Sequence, residues 1–315
     1  GVSMSSSSSS SFEASGTNET EIRKVEPQRC SDPMRKPPPK PLLIVSPTET
    51  GDYPLLLFFH GYLLRNSFYT QLLQQIASHG FIVIAPQLYS LAGADATAEV
   101  KSAAAITNWL SLEVLSGLLP PRVRPDLTKL ALAGHSRGGK VAFALALNRV
   151  PDARTTLKFS ALIAIDPVDG MGKDRQTPPP VLTGAPRALD LDMPVLVIGS
   201  GLGAVRRYGW FPASAPEGVS HEEFFKECRR PAGYLVVRGY GHVDMLDDET
   251  AGVRGKLTYC LCENGESRGP MRRFVGGAVV AFMKAYLEGD GGDLMAIRHG
   301  KCKLPVELQR VGFLD

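Results

Sequence analysis

The sequence predicts one α/β domain built on a mostly parallel central sheet, with an antiparallel N-terminal hairpin and helices on both faces. From residue 42 onward, short apolar runs alternate with longer amphipathic segments, a pattern typical of strands joined by crossover helices. Each short run is apolar throughout, so both faces of its strand are expected to be covered. A chain of 315 residues, of which 43% are hydrophobic, is long enough for one such domain.

These runs predict seven strands and four helices. The strands are residues 42–45, 55–59, 81–85, 130–133, 161–165, 195–198 and 235–237, and the helices are residues 68–79, 96–115, 139–148 and 273–288. Thr50, Gly51 and Asp52 predict a hairpin turn between the first two strands. The segment 199–231 has Gly, Pro and charged residues without a clear period, which favours a loop or short helices over an edge of the sheet.

The first 40 residues differ in composition from the rest of the chain. They run from a serine repeat through a charged stretch into the proline-rich segment 36–41, a composition that cannot bury apolar surface. We therefore expect a disordered Ser/Pro-rich arm over residues 1–40 and a single α/β domain over residues 41–315. The arm lacks the apolar core of a secretory signal, and Glu13, Glu19 and Glu21 fit an organelle transit peptide poorly.

Charge and cysteine patterns exclude several function classes. The net charge is +3, and the basic residues are scattered among acidic ones rather than gathered into a stripe, so nucleic acid is not an expected partner. No run of about 18 apolar residues is present, which leaves peripheral contact as the only expected mode of membrane association. The five cysteines are irregularly spaced and predict no metal site.

The strongest motif is the run Gly134-His135-Ser136-Arg137-Gly138, which follows an apolar strand and precedes a helix. This order is the one that a nucleophile elbow requires, and it predicts the α/β-hydrolase fold with Ser136 as nucleophile. The glycines let strand and helix approach each other closely while the serine holds a strained backbone conformation. An ordinary glycine-rich turn is the alternative, which the flanking strand and helix disfavour.

An elbow serine needs a base and an acid, which follow it in the chain in the order acid, then histidine. His242 follows the last predicted strand, where a loop would carry its imidazole back to Ser136. Asp166 ends the strand at 161–165 and therefore lies at the carboxyl edge of the sheet, where the triad is assembled. Asp169, three residues further on, remains the alternative acid. His60, His79, His135, His221 and His299 are expected to be structural or solvated.

Two backbone N–H groups are expected to stabilise the oxyanion that forms when Ser136 attacks an ester. The first is that of Arg137, directly after the nucleophile. The second is that of Tyr62, or else of Leu63, in the loop that follows the strand at 55–59. Ser136 would then act through an acyl-enzyme with His242 as base, without a metal ion or an organic cofactor.

The fuller run Gly-His-Ser-Arg-Gly-Gly at 134–139 is narrower than the general elbow and resembles the lipase-type motif of plant chlorophyllases. The resemblance extends to PLLIVSPTETG at 41–51, PLLLFFHGY at 54–62, IAIDPVDG at 163–170 and YGHVDMLDD at 240–248. It places Ser136, Asp166 and His242 on the catalytic residues of that family. It implies hydrolysis of the phytyl ester of chlorophyll to chlorophyllide and phytol.

An apolar cleft for such a substrate is predicted at the active edge of the sheet. Its candidate residues are Tyr62, Leu63, Leu64, Leu88, Tyr89, Leu91, Trp210, Phe211 and Met245, for each of which ordinary packing is the alternative. The resemblance implies a chloroplast location, with the cytosol and the endomembrane system or vacuole as alternatives. The sequence does not indicate an oligomeric state or a lid.

Two other functions are compatible with the same motif. One is a lipase or another esterase of this fold acting on apolar acyl esters, such as a phospholipid acetylhydrolase. A dienelactone hydrolase would carry cysteine in place of Ser136. The other is a noncatalytic ligand receptor on a hydrolase scaffold, which the presence of all three triad candidates disfavours.

Overall fold

The computed structural model describes residues 11–27, 36–206 and 213–315. Within them, nine strands form one sheet in the order β1-β2-β4-β3-β5-β6-β7-β8-β9. The strands are β1 Thr20–Val25, β2 Leu42–Pro47, β3 Gly51–Phe59, β4 Ile82–Pro86, β5 Val123–His135, β6 Ala161–Ile165, β7 Val195–Ser200, β8 Ala232–Val237 and β9 Leu308–Leu314. Strands β3 to β8 run parallel, and β1, β2 and β9 are antiparallel to their neighbours.

Eight α-helices lie in the described part of the chain. They are α1 Thr70–Ser78, α2 Thr97–Trp109, α3 Leu112–Ser116, α4 Arg137–Ala146, α5 His221–Glu227, α6 Gly252–Leu261, α7 Arg268–Leu287 and α8 Gly292–Arg298, and a short 3₁₀ helix, Asn66–Tyr69, precedes α1. One apolar core lies against each face of the sheet, with α2 and α4 contributing to one and α1 and α7 to the other. The predicted fold class, including an antiparallel N-terminal hairpin, is confirmed.

The hairpin has a different strand pair from the one predicted. Residues 48–50 connect β2 to β3, and Gly51 and Asp52 of the predicted turn already belong to β3, whereas β2 pairs with β1 and β4. Strand β3 lies beyond β4 and pairs in parallel with β4 and β5. The buried centre of the sheet suits β3, because its residues from Pro54 to Phe59 are all covered.

The predicted helix at 96–115 forms two helices in the structure. Leu110 takes an extended backbone conformation at the end of α2, and Ser111 begins α3 by accepting a hydrogen bond from the Val114 N–H at 3.1 Å. A serine N-cap in the middle of an apolar segment therefore marks the break.

The described part of the N-terminal arm differs from the expected disorder. Strand β1 pairs with β2 along its length, and the buried ring of Phe12 stacks on Phe274 of α7 with centroids 5.9 Å apart. A backbone ladder and one aromatic anchor order this segment despite its polar composition. Residues 1–10 and 28–35 of the predicted arm lie outside the described residues.

Candidate active site

Ser136 occupies a sharp turn between the last residue of β5 and the first residue of α4. Its backbone has φ 57° and ψ −122°, a conformation that L-residues adopt only under the constraint of their surroundings. A Cβ atom at Gly134 would lie 2.1 Å from the Gly138 carbonyl oxygen, and one at Gly138 would lie 2.1 Å from the Phe59 carbonyl oxygen. Glycine is therefore required on both sides of Ser136, and the turn places the hydroxyl at the N-terminus of α4.

The structure brings the three predicted triad residues together. The Nε2 atom of His242 lies 2.7 Å from the Ser136 Oγ, and its Nδ1 atom lies 2.5 Å from the Asp166 Oδ2. All three side chains are buried. With Nδ1–H donating to the carboxylate, Nε2 is left as the acceptor for the serine proton, which is the arrangement that general-base catalysis needs.

Ser200, at the end of β7, holds the Asp166 carboxylate from the other side. Its hydroxyl donates to Oδ2 at 2.7 Å and its N–H donates to Oδ1 at 2.9 Å. Burial alone would raise the pKa of Asp166, but His242 and Ser200 outweigh it and lower that pKa to about 2. The carboxylate is therefore ionised at neutral pH. The sequence pattern did not identify Ser200, although a polar residue at the carboxyl end of an apolar run was a signal for it.

Asp169, the alternative acid, points to a different set of partners. Its Oδ1 lies 2.9 Å from the Nζ of Lys140, and both side chains are almost fully buried. Its Oδ2 accepts hydrogen bonds from the N–H groups of Val181 and Leu182 at 3.0 and 2.9 Å, and from the Gln176 side chain at 2.5 Å. It is Asp166, not Asp169, that contacts His242.

His135, the residue before the nucleophile, connects both sides of the site. Its Nε2–H donates to the carbonyl oxygen of His242 at 2.7 Å, and its Nδ1 accepts from the Tyr69 hydroxyl at 2.6 Å. That hydroxyl in turn accepts from the Gly61 N–H at 2.9 Å. Burial lowers the pKa of His135 to about 3, so the ring is neutral and these bonds define its tautomer.

The loop after β3 presents the second candidate oxyanion donor. The Leu63 N–H donates to the Tyr89 hydroxyl at 3.1 Å and is therefore already engaged. Over the described residues, the N–H groups of Tyr62 and Arg137 donate to no protein acceptor. Of the two alternatives in this loop, the geometry thus favours Tyr62 as the partner of Arg137.

His60, directly after β3, stabilises the loop that carries Tyr62 through two hydrogen bonds. Its Nδ1–H donates to the Gly61 carbonyl at 2.8 Å, and its Nε2 accepts from the Leu88 N–H at 3.0 Å. Burial lowers the pKa of His60 to about 4, so its ring is neutral and serves as a hydrogen-bonding spacer between two loops.

Two cavities meet at Ser136 and share Tyr62 and Ser214 as lining residues. The α6 cavity, of about 330 Å³, lies between the loop at 62–64 and helix α6. The α4 cavity, of about 250 Å³, lies over the start of α4 beside the loop at 168–171. Each is large enough to receive part of a ligand on one side of the nucleophile.

The predicted cleft residues divide into four groups. Tyr62, Leu63 and Leu64 line the α6 cavity, whereas Tyr89 lies behind this loop through its bond to Leu63 and Leu91 is exposed. Leu88 and Met245 correct the prediction, because both are buried in the hydrophobic core and are absent from the lining of either cavity. Trp210 and Phe211 lie outside the described residues.

Among the residues with described positions, no group of three or more His, Cys, Asp or Glu side chains is arranged to hold a metal ion. Nor does any helix in these ranges have the length and apolar character needed to cross a bilayer.

Comparison with known proteins gives a consistent result. The chlorophyllase family profile matches residues 8–315. Chlorophyllase-2 of Arabidopsis thaliana is 57% identical over 288 residues, which cover 91% of this chain and 89% of that protein. Chlorophyllase-1 of Arabidopsis thaliana is 45% identical over 272 residues, which cover 86% of this chain and 83% of that protein. A protein of Citrus unshiu named "Chlorophyllase-1, chloroplastic" is 43% identical over 289 residues, which cover 90% of this chain and 84% of that protein. The chain belongs to the chlorophyllase family.

Proposed function

We propose that this protein hydrolyses the phytyl ester of chlorophyll through an acyl-enzyme on Ser136, with His242 as the base and Asp166 as the acid of the triad. The observation that carries the proposal is the continuous hydrogen-bond chain from Ser136 Oγ through His242 to Asp166, with donor-acceptor distances of 2.7 and 2.5 Å. Membership of the chlorophyllase family is the reason for proposing chlorophyll as the substrate and its phytyl ester as the bond that is cleaved. Asp169 is a structural partner of Lys140 in this proposal.

The chemistry follows from the positions of the groups. His242 Nε2 takes the proton from Ser136 as its Oγ attacks the ester carbonyl, and the N–H groups of Tyr62 and Arg137 receive the developing oxyanion. His242 then donates that proton to the departing phytol oxygen, and a water molecule releases the chlorophyllide acid by the same route. Asp166 stays ionised and stabilises the imidazolium in both steps.

A lipase or short-chain esterase of the same fold would use the same triad. The alternative is not favoured, because the family profile covers the chain from residue 8 to residue 315 and the named relatives are chlorophyllases. A noncatalytic receptor is disfavoured by the intact geometry at Ser136.

Peripheral contact with a lipid bilayer in the chloroplast is part of the proposal. Leu91 and Val253 are 77% and 76% exposed, and a hydrogen bond from Arg254 to the Ser90 carbonyl holds their two segments side by side. An esterase for a membrane-embedded substrate is expected to expose apolar side chains near its cavity, as in this pair. The chloroplast is proposed because Citrus relatives carry "chloroplastic" in their names.

The experiment compares hydrolysis of chlorophyll with hydrolysis of short nitrophenyl esters by the purified protein. The proposal expects chlorophyllide to form, and a Ser136→Ala variant to lose at least about three orders of magnitude in kcat. Hydrolysis of the short esters alone would exclude the chlorophyllase assignment. Unchanged turnover in Ser136→Ala would exclude Ser136 as the nucleophile.

A further inference from the structure

The two cavities differ in their relation to the catalytic histidine. His242 and its neighbour Val243 line the α6 cavity. The α4 cavity is lined by Arg137 and Lys140 and, over the described residues, not by His242. The nucleophile thus stands between a side that holds the general acid and a side that holds an oxyanion donor.

The chemistry of ester cleavage assigns a part of the substrate to each side. Collapse of the tetrahedral intermediate requires the imidazolium of His242 to protonate the oxygen of the departing alcohol, so this oxygen must lie within hydrogen-bond reach of Nε2. The alcohol chain continues from that oxygen into the space around His242. The acyl group leaves the reacting carbon in another direction.

The lining of the α6 cavity fits a long branched hydrocarbon. Leu63, Leu64 and Val243 form its inner part, and Leu257 and Leu261 of α6 form its outer wall. The two helix residues are 44% and 38% exposed, so the cavity opens beside α6 and a chain longer than the cavity can continue along the helix surface. An apolar chain in this position removes these leucines from water.

The α4 cavity suits a different group. At about 250 Å³ it is too small for a tetrapyrrole ring but accommodates the propionyl arm that carries the ester carbonyl. Its rim includes the ring of Tyr62 and the side chain of Met171, which are 46% and 50% exposed. A flat macrocycle attached to this arm would lie against that rim.

We infer that the α6 cavity is the subsite for the phytyl alcohol, and that the α4 cavity receives the propionyl arm of the tetrapyrrole acid. The assignment rests on the proposed function, since it takes an ester of a tetrapyrrole acid as the substrate. It makes α6 the element that selects the alcohol, independently of the acid.

The test compares two esters of the same tetrapyrrole acid, the phytyl ester and the methyl ester. Leu257→Trp fills the mouth of the α6 cavity, and Met171→Trp is its matched control at the α4 cavity. Both positions are partly exposed, so neither substitution disturbs the core. Leu261→Trp provides a second variant on α6.

Leu257→Trp and Leu261→Trp are expected to lower the ratio of kcat/KM for the phytyl ester to that for the methyl ester by about tenfold. Met171→Trp is expected to lower kcat/KM for both esters by similar factors, because they share the acid. An unchanged ratio in both α6 variants, or a tenfold lower ratio in Met171→Trp, would overturn the subsite assignment alone. Failure of the unmodified protein to cleave either ester would overturn the proposed function and the assignment with it.

Discussion

The guanidinium of Arg137 and the carboxylate of Glu99 form a largely buried ion pair beside the nucleophile. The Nε atom donates to both carboxylate oxygens, at 2.8 and 3.1 Å, and a terminal nitrogen makes a further close contact. The same guanidinium donates to the Gly93 carbonyl and lies 5.0 Å from the ring centroid of Tyr62. One side chain therefore connects α2 to the loop that carries the second proposed oxyanion donor.

Glu99→Gln is expected to lower kcat by about tenfold with little change in KM, because the loosened Arg137 no longer holds Tyr62 in place during the transition state. Affinity for a phosphonate or trifluoromethyl ketone analogue of the transition state should fall by the same factor as kcat/KM. Arg137→Lys, with Glu99 intact, should show a similar loss in kcat, since an ammonium lacks the planar fork that binds the Glu99 carboxylate.

Glu113→Gln, at an exposed position of α3, provides the control for loss of one carboxylate. A Glu99→Gln enzyme with lower thermal stability but normal affinity for the analogue would reduce Glu99 to a purely structural role.

Asp166→Asn and Asp169→Asn are expected to separate catalysis from stability. The first leaves His242 in the wrong tautomer and should lower kcat by about four orders of magnitude, with a small effect on unfolding. The second leaves the ammonium of Lys140 buried without its partner carboxylate and should cost about 3–5 kcal/mol in the free energy of unfolding. Chemical denaturation and single-turnover kinetics on the folded fraction measure the two effects, and the reverse pattern would exchange the roles of the two carboxylates.

The central strands and the elbow are the parts that the sequence predicts best. Residues 161–165 are buried on both faces of the sheet, and a strand in that environment requires an unbroken apolar run, which is visible in the sequence. The edge strand β1 is half exposed and carries Glu21, Arg23 and Lys24, so its composition resembles that of a polar linker. Pairing with β2 identifies it, and pairing is not visible in the pattern of one segment.

Helix α6 and the side chains of the cleft were also not predictable from the sequence alone. Val253 and Leu257 of α6 are both exposed, so this helix lacks the buried apolar stripe by which helices are recognised in a sequence. Leu88 and Met245 lie near the active edge in the sequence, but their side chains turn into the core. Proximity in the chain locates a loop, and only the folded backbone determines which side chains of that loop reach the cavity.

Ser200→Ala is expected to weaken the acid of the triad without removing it. The variant keeps the N–H bond to Asp166 Oδ1 but loses the hydroxyl bond to Oδ2, so the pKa of Asp166 should rise from its lowered value toward the ordinary range. The expected loss in kcat is about tenfold at pH 7 and greater near pH 4, where more of the carboxyl is then protonated. The control is Ser160→Ala, because the Ser160 hydroxyl donates to the Thr128 carbonyl near the amino end of β6, away from the carboxyl edge that holds the triad. A loss that is equal at both pH values would contradict the electrostatic role of Ser200.

The neutral, buried ring of His135 predicts a pH dependence of stability. Its pKa is about 3 in the folded protein and close to 6.5 in the unfolded chain, so unfolding between pH 4 and 6 takes up one proton at this residue. The free energy of unfolding should therefore increase with pH over this range, with His135 contributing about 1.4 kcal/mol per pH unit. His135→Gln removes that contribution, so a plot of unfolding free energy against pH should become shallower by this amount, whatever its absolute level. His299→Gln, at an exposed position, should leave the slope as it is. An equal slope in His135→Gln and the unmodified protein would show that the ring is already protonated in the folded state, and the hydrogen bond from Tyr69 to its Nδ1 would then have to be reversed.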